Sequence, residues 1–250
     1  MRYPLILLLF SCISISSIAQ KAESIRSSRP GQAIEAFTVG KRVGQVQAGF
    51  AYTWWDVGAF SYGENGYETV LRYGILEKLE LNALLNVTTL GVGDRLSATG
   101  LSSFHVGAKY NVYEGEGLIP SVGAQFRLKL PAVSELFRPD NVATQFTISA
   151  QNLLTDKLGL TFNTGLDWSG FDSGASWFYV VNLSHPIADR WGVFIENYGN
   201  RRRGLTRPYF DGGCSFLINT NLQLDFSAGA NFQDLFNEYF ISPGLSWRFL

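Results

Sequence analysis

The chain has 250 residues, with 20 Lys+Arg against 21 Asp+Glu and a formal net charge of −1. A balance so close to neutral offers no general attraction to nucleic acid. Only 16% of residues are charged, while 14% are aromatic and 26 are Gly; nothing beyond the first twenty residues is an apolar run long enough to cross a membrane as a helix, so the hydrophobicity must be carried in a shorter period.

Met1 and Arg2 lead into Leu5-Ile6-Leu7-Leu8-Leu9-Phe10 and then into Ser16, Ser17 and Ala19. A basic start, a short apolar core and a small-residue end are the pattern of a secretory signal peptide, here residues 1–19, with Gln20 as the expected mature N-terminus. A lipoprotein signal at Leu9-Phe10-Ser11-Cys12 competes, but Phe10 fits it poorly and the apolar stretch runs on past Cys12. Loss of Arg2 leaves 19 basic against 21 acidic residues, a balance of −2. Cys12 departs with the signal, so Cys214 has no partner in the mature chain and disulfides do not hold this fold together. Residues 20–41, with Arg29-Pro30-Gly31, show little periodicity. They are expected to form a periplasmic tail, because chain ends are often poorly ordered, with a plug folded into the lumen as the alternative.

From residue 42 to residue 250 the period is two. Val46, Ala48, Phe50, Tyr52 and Trp54 alternate with Gln45, Gln47, Gly49, Ala51 and Thr53. Successive strand side chains point to opposite faces, so this is a strand with one apolar and one polar or small face. The pattern returns at Tyr67–Ile75, Leu79–Thr88, Ser103–Val112, Ser121–Leu130, Val142–Gln151, Leu158–Trp168, Trp177–Ser184, Trp191–Glu196, Tyr209–Ile218, Leu222–Asn231 and Ile241–Phe249. Twelve candidate strands of about 9–11 residues match the length a tilted strand needs to cross a bilayer. Connectors after Ile75, Gln151 and Ile218 are short, and those after Trp54, Thr88, Leu130 and Gly199 are longer. Short periplasmic turns and longer outside loops mark an outer-membrane barrel with both termini in the periplasm. Ten strands are the alternative, should two weak segments between Trp177 and Gly213 fail to cross. Trp54, Tyr67, Trp168 and Trp177 then fall at outer strand ends, and Tyr73, Tyr110, Trp191, Trp247 and Phe249 at inner ends, as two interfacial girdles require. A secreted β-sandwich would alternate too, but its outer face is usually charged; here the polar face is rich in Gly, Ser, Asn and Gln. The expected fold is all-β, a transmembrane antiparallel up-and-down barrel in the cell outer membrane.

The chain ends Gly244-Leu245-Ser246-Trp247-Arg248-Phe249-Leu250, which resembles the C-terminal signal read by the barrel-assembly machinery, with Leu250 as an extra residue after the final aromatic. Ser28-Arg29-Pro30-Gly31-Gln32-Ala33, Phe37-Thr38-Val39-Gly40-Lys41 and Gln47-Ala48-Gly49-Phe50 resemble the start of the phenol meta-pathway degradation (MetA-pathway) family. Glu68-Thr69-Val70-Leu71-Arg72-Tyr73-Gly74-Ile75 with Glu80-Leu81, and Gly107-Ala108-Lys109-Tyr110, resemble its next blocks. The resemblance covers nearly the whole mature chain and implies a transporter-like outer-membrane barrel. It implies no particular substrate.

The inward face is expected to carry Glu68, Arg72, Glu80, His105, Lys109, Arg127, Lys129, Asp167, Glu196, Asp211, Asp225 and Arg248. Charges facing lipid would cost several kcal/mol, so their common inward phase supports the map. They either line a narrow water-filled channel for small solutes, aromatic or anionic ones among them, or pair and fill the lumen of a structural or surface-interaction barrel. The channel is the preferred expectation, and Lys109, Arg127 and Lys129 form a candidate cationic wall in it. Arg201-Arg202-Arg203 fall in a predicted outside loop, where they either hold lipopolysaccharide phosphates, gather anions or are simply solvated. Outer-membrane lipids and lipopolysaccharide are therefore expected partners, with no nucleic acid. A lipid hydrolase is a further alternative, because Ser103 and His105 share the inward face. Their Ser-x-His order and inward direction are opposite to those of the twelve-stranded phospholipase barrel. His185, beside Pro186, falls in a predicted inside turn. No nucleotide loop or zinc-spaced cluster is present in the sequence, and no enzyme activity or cofactor is expected.

Overall fold

In the computed structural model the described residues are 24–249, apart from 58–59, 93–95, 173 and 234–235. The expected signal peptide, residues 20–23 and Leu250 lie outside them. The strands are β1 (Gly44–Val57), β2 (Phe60–Leu76), β3 (Leu79–Val92), β4 (Leu96–Tyr113), β5 (Ser121–Lys129) and β6 (Ala143–Leu153). The second half adds β7 (Gly159–Trp168), β8 (Ala175–Ala188), β9 (Trp191–Arg202), β10 (Leu205–Asn219), β11 (Leu222–Gln233) and β12 (Phe236–Phe249). Each strand pairs antiparallel with its sequence neighbours, and β12 closes on β1 through Gly44↔Phe249, Gln47↔Ser246 and Gly49↔Gly244. Closure removes the sheet edge, so every strand backbone finds its partners within the wall.

The burial pattern separates this fold from a sandwich. Lys109 is 2% exposed and Glu80 1%, whereas Ile195 is 64% and Phe210 62% exposed. A soluble sandwich core would reverse that order, because uncovered apolar surface is unfavourable in water. An exterior of Leu, Ile and Phe around a polar interior is stable only with hydrocarbon outside. The expected girdle residues Trp54, Tyr67 and Trp177 at one end, and Tyr73, Tyr110, Trp191, Trp247 and Phe249 at the other, are all outward and exposed. Trp168 is half-buried.

Three expectations are corrected. Strands span 9 to 18 residues: β5, β6 and β7 keep the expected 9–11, and the other nine run longer than the bilayer requires. The expected long connectors after Trp54, Thr88 and Gly199 are largely strand: Trp54 pairs Gly63, Thr89 pairs Thr99, and β9 runs on to Arg202. Backbone pairing continues there because it satisfies N–H and C=O groups whatever the side-chain pattern. The β9–β10 hairpin turns at Arg203 and Gly204, with φ of 49° and 86°, the two positive values a type I′ turn needs. Residues 130–142 do form a long connection; it contains a 3-10 turn at Glu135–Phe137 and is tied to β4 by reciprocal bonds between Leu101 and Ser134. Between Trp177 and Gly213 there are full strands, which removes the ten-strand alternative. His185 lies in β8, paired with Val193, and not in a turn.

Candidate functional site

Every charged residue assigned to the interior sits on an inward register position, but most are already engaged. Arg72 makes a two-pronged bond to Glu80, with both N···O distances 2.8 Å. Lys129 holds both oxygens of Asp167 at 2.8 and 2.6 Å. Arg127 donates to the Asn82 side-chain Oδ1 at 3.1 Å, and Arg248 to the Asn221 side-chain Oδ1 at 2.9 Å and to the Ser24 backbone carbonyl at 3.0 Å. The expected cationic wall is thus mostly compensated; of Lys109, Arg127 and Lys129, the first meets the chain segment described next and the third is salt-bridged. His105 and Glu68 line the central cavity, together with Ser103. Glu196 and Asp211 face each other as direct cross-strand partners.

Residues 24–41 lie within the barrel and make one lap of its wall, rather than trailing as a free tail. Val39 N–H donates to Glu80 on β3 at 3.0 Å. Lys109 and Asn111 on β4 donate to the carbonyls of Glu35 and Ala36, both at 3.2 Å. The Asn163 side-chain amide on β7 pairs with both N–H and C=O of Ile34, each at 2.7 Å. Gln32 N–H donates to Glu196 on β9 at 2.5 Å. Ser27 meets Ser246 on β12, and Gln45 on β1 donates to the Arg26 carbonyl. Ile25 N–H then reaches the carbonyl of Thr220 in the β10–β11 turn. The lap closes where the Arg26 guanidinium lies 4.6 Å from the centre of the Phe37 ring. A segment with no sheet partner must satisfy its backbone through side chains, and the inward amides of the wall supply them.

One side chain pins this plug. Arg29 donates to Asp225 at 3.2 Å, to Ser242 at 3.0 Å and to the Pro243 carbonyl at 3.3 Å. The Asp225 side chain is 0% exposed and that of Arg29 12%. The guanidinium lies over Gly49 and Gly244, paired glycines of β1 and β12; a Cβ on either would occupy its place. The inward run Gly49 and Gly244 is therefore a slot shaped for a planar cation. Arg29 was not anticipated as a functional residue. The signal available was the pair of inward glycines at one level of adjacent strands.

Cavities remain on both sides of the plug. The central one, about 390 Å³, is lined by Arg72, His105, Lys109, Arg127, Phe178 and Tyr198 among others. A compartment of about 230 Å³ beside it is lined by Glu68, Glu238, Phe240 and Tyr198. A third, about 300 Å³, lies on the short-turn side of the plug around His185, Arg190 and Trp191. The long-loop mouth holds about 590 Å³ between Asp172, Arg202, Arg203 and Arg207. There Asp172 binds Arg202 and, at 3.1 Å, Arg203. The Gly174 N–H, with Arg202 and Arg203, holds the Asp172 carboxyl below the usual carboxylate range. Arg202 and Arg203 are thus partnered by Asp172, while Arg201 takes the outward register beside Trp177.

No curated protein matches the chain in sequence. Among solved structures, an outer membrane channel from Pseudomonas putida F1 superposes with a TM-score of 0.63 at 14% identity, covering 89% of this chain and 100% of that one. The NanC porin matches with a TM-score of 0.59 at 8% identity over 81% and 98% of the two chains. The KdgM porin in complex with oligogalacturonate matches with a TM-score of 0.56 at 11% identity over 82% and 99%. At these identities the likeness is one of fold. Residues 27–249, which take in most of the plug and the whole barrel, match the model of a single family, and the chain belongs to that family, described as "Putative MetA-pathway of phenol degradation".

Proposed function

We propose that this protein is an outer-membrane channel that passes small polar solutes through a narrow lumen constricted by residues 24–41. The observation that carries the reading is the polar bore itself: water-accessible cavities of about 390 and 300 Å³ on opposite sides of one lap of chain, inside a wall with an apolar exterior. A barrel built only for structure has no need of polar space at two levels. The structural neighbours whose titles name a channel or porin support it. Solute identity is not carried by the fold; the oligogalacturonate of one neighbour belongs to that protein. Outer-membrane localisation, assembly through β12 and surface contact with lipopolysaccharide belong to the same proposal.

A second reading, a permanently plugged structural barrel, is favoured by the density of hydrogen bonds on the plug. Planar-bilayer recording of the refolded mature protein separates the two, with gel mobility of boiled and unboiled samples as the folding control. Discrete conductance steps are expected, larger or longer after deletion of residues 20–30, which removes the Arg29 pin. Heat-modifiable protein without steps in either form overturns the channel.

A further inference from the structure

The barrel closes where its first and last strands meet, and that seam differs from the rest of the wall. β1 and β12 keep one register throughout, yet their pairing lapses between Gly49↔Gly244 and Tyr52↔Ile241, where Phe50 and Ala51 stand opposite Pro243 and Ser242. Pro243 has no N–H to give to a ladder. Among the described residues, the other strand pairs run unbroken or lapse only at a change of register. A lapse in mid-wall leaves backbone groups short of strand partners beside hydrocarbon, where an unsatisfied group is costly. The seam is also the one junction of the ring whose two strands are not neighbours in sequence. A short hairpin turn keeps its two strands close at little entropic cost, whereas β1 and β12 are brought together only by the whole length of the barrel.

Residues 24–29 lie along the inside of this seam and bridge it pair by pair. Gln45 and Arg248 are direct partners across it; Gln45 donates to the Arg26 carbonyl at 2.9 Å and Arg248 to the Ser24 carbonyl at 3.0 Å. The next inward pair is Gln47 and Ser246, and the Ser27 hydroxyl meets both, at 3.1 and 2.6 Å. The next is Gly49 and Gly244, and the Arg29 guanidinium covers both. From there it reaches the lapse itself, donating to the Ser242 hydroxyl and the Pro243 carbonyl. Asp225 and Gln223 on β11 hold Arg29 in place from the next strand. Further along the plug the pattern is different: Ile34 bonds to Asn163 on β7 and Gln32 to Glu196 on β9.

We propose that residues 24–29 are a clasp for the closing seam, holding β1 against β12 across the lapse and keeping the wall shut to the bilayer. This is a role apart from constricting the bore, and it stands whether or not the barrel conducts. A segment that served only to narrow the lumen would gain as much from bonds to any strand. These bonds fall instead on both members of successive pairs, at the junction that no turn secures.

The test is hydrogen exchange of the refolded mature protein in detergent, read by mass spectrometry on β1 and β12 and, for comparison, on β6 and β7. Deletion of residues 20–30 is made together with Asp225→Asn, so that no charge is stranded. Exchange in β1 and β12 is expected to rise about tenfold or more, the scale of one or two lost hydrogen bonds, while β6 and β7 stay within about twofold. Gln47→Cys with Ser246→Cys, in a Cys214→Ala background, then staples the seam. The oxidised staple is expected to return β1 and β12 of the deletion variant to slow exchange, and the reduced form is expected to leave them fast. If the deleted chain does not refold, Ser27→Ala with Arg29→Ala and Asp225→Asn gives the same comparison at full length. Unchanged exchange in β1 and β12, or an equal rise in β6 and β7, overturns the clasp and leaves the channel reading untouched. Fast exchange that persists under the oxidised staple also overturns it. Seam-selective exchange in a barrel that shows no conductance upholds the clasp and removes the channel.

Discussion

Replacing Arg29 with Ala is the sharpest probe of how the plug is held. The substitution removes the ion pair to Asp225 and the bonds to Ser242 and Pro243, and leaves the Asp225 carboxylate enclosed without its cation. Breaking a buried pair from one side costs about 3–5 kcal/mol; with Arg29 next to wet cavities we take the low end, about 3 kcal/mol. At 1.4 kcal/mol per tenfold, the ratio of docked to undocked plug falls about a hundredfold. The loss is local. Val39, Ala36 and Ile34 keep their bonds to Glu80, Asn111 and Asn163, so residues 34–41 stay on the wall, while residues 28–31 loosen between the retained bonds of Ser27 to Ser246 and Gln32 to Glu196. Single-channel recording is expected to show frequent excursions to a higher conductance, with heat modifiability unchanged because no ladder bond is lost. Adding Asp225→Asn removes the stranded charge, and the double-mutant cycle is expected to return a coupling of about 2–3 kcal/mol. Arg29→Lys keeps the charge but not the fork that fits over Gly49 and Gly244, and is expected to fall between. An Arg29→Ala channel with the conductance and gating of the unmodified protein would refute the pin.

Asn163→Leu removes both bonds to Ile34 at about 1 kcal/mol each, and is expected to raise hydrogen exchange at the Ile34 amide about tenfold or more; unchanged protection would mean the amide is held otherwise. The Asp172 carboxyl is expected to titrate below the ordinary value of 3.8. Because the folded value is the lower one, the link to Arg202 and Arg203 is present at neutral pH and is lost only as pH falls through it. A carboxyl carbon shift with its midpoint at or above 3.8 would contradict the pairing. Phe226→Arg puts a charge on the lipid face of β11 and is expected to lower barrel stability by about 2–4 kcal/mol in urea unfolding from lipid vesicles; no loss would place that face away from hydrocarbon.

The strand map was legible in the sequence because two solvents write on it. Lipid demands apolar side chains at Leu71, Phe126, Phe226 and Leu245, the lumen accepts polar ones at Arg72, Arg127, Asp225 and Ser246, and the alternation follows. Strand ends were less legible for the same reason. Beyond the bilayer both faces of β2 meet water, and the run Ser61, Gly63, Glu64, Asn65, Gly66 has no apolar phase to detect, although each residue pairs with β1. The sequence phase puts the charged residues on the inward face but says nothing of their partners. Arg72 and Glu80 are eight apart and joined by the short β2–β3 turn, so that pair could be inferred from register; Lys129 reaches Asp167 over an intervening strand, and that pair could not.

The plug was hardest to read because contacts such as Ile34–Asn163 and Ser27–Ser246 link residues 129 and 219 apart and its own segment has no period. Yet its imprint lies on the wall. An empty polar channel is served by charged or hydroxyl side chains that water can solvate; side-chain amides pointing inward at Gln45, Asn111, Gln151, Asn163 and Gln223 offer instead a donor and an acceptor together, which is what a peptide backbone requires. Glycine on a lumen face lets backbone approach backbone, and Gly123 does so against Ala36. Amides and glycines recurring at one level on strands from opposite sides of a barrel therefore predict an internal chain segment. The charge of the wall at that level predicts its side chains: Asp225 beside Gly244 calls for the cation that Arg29 supplies, and Arg72 beside Lys109 for the carboxylate of Glu35.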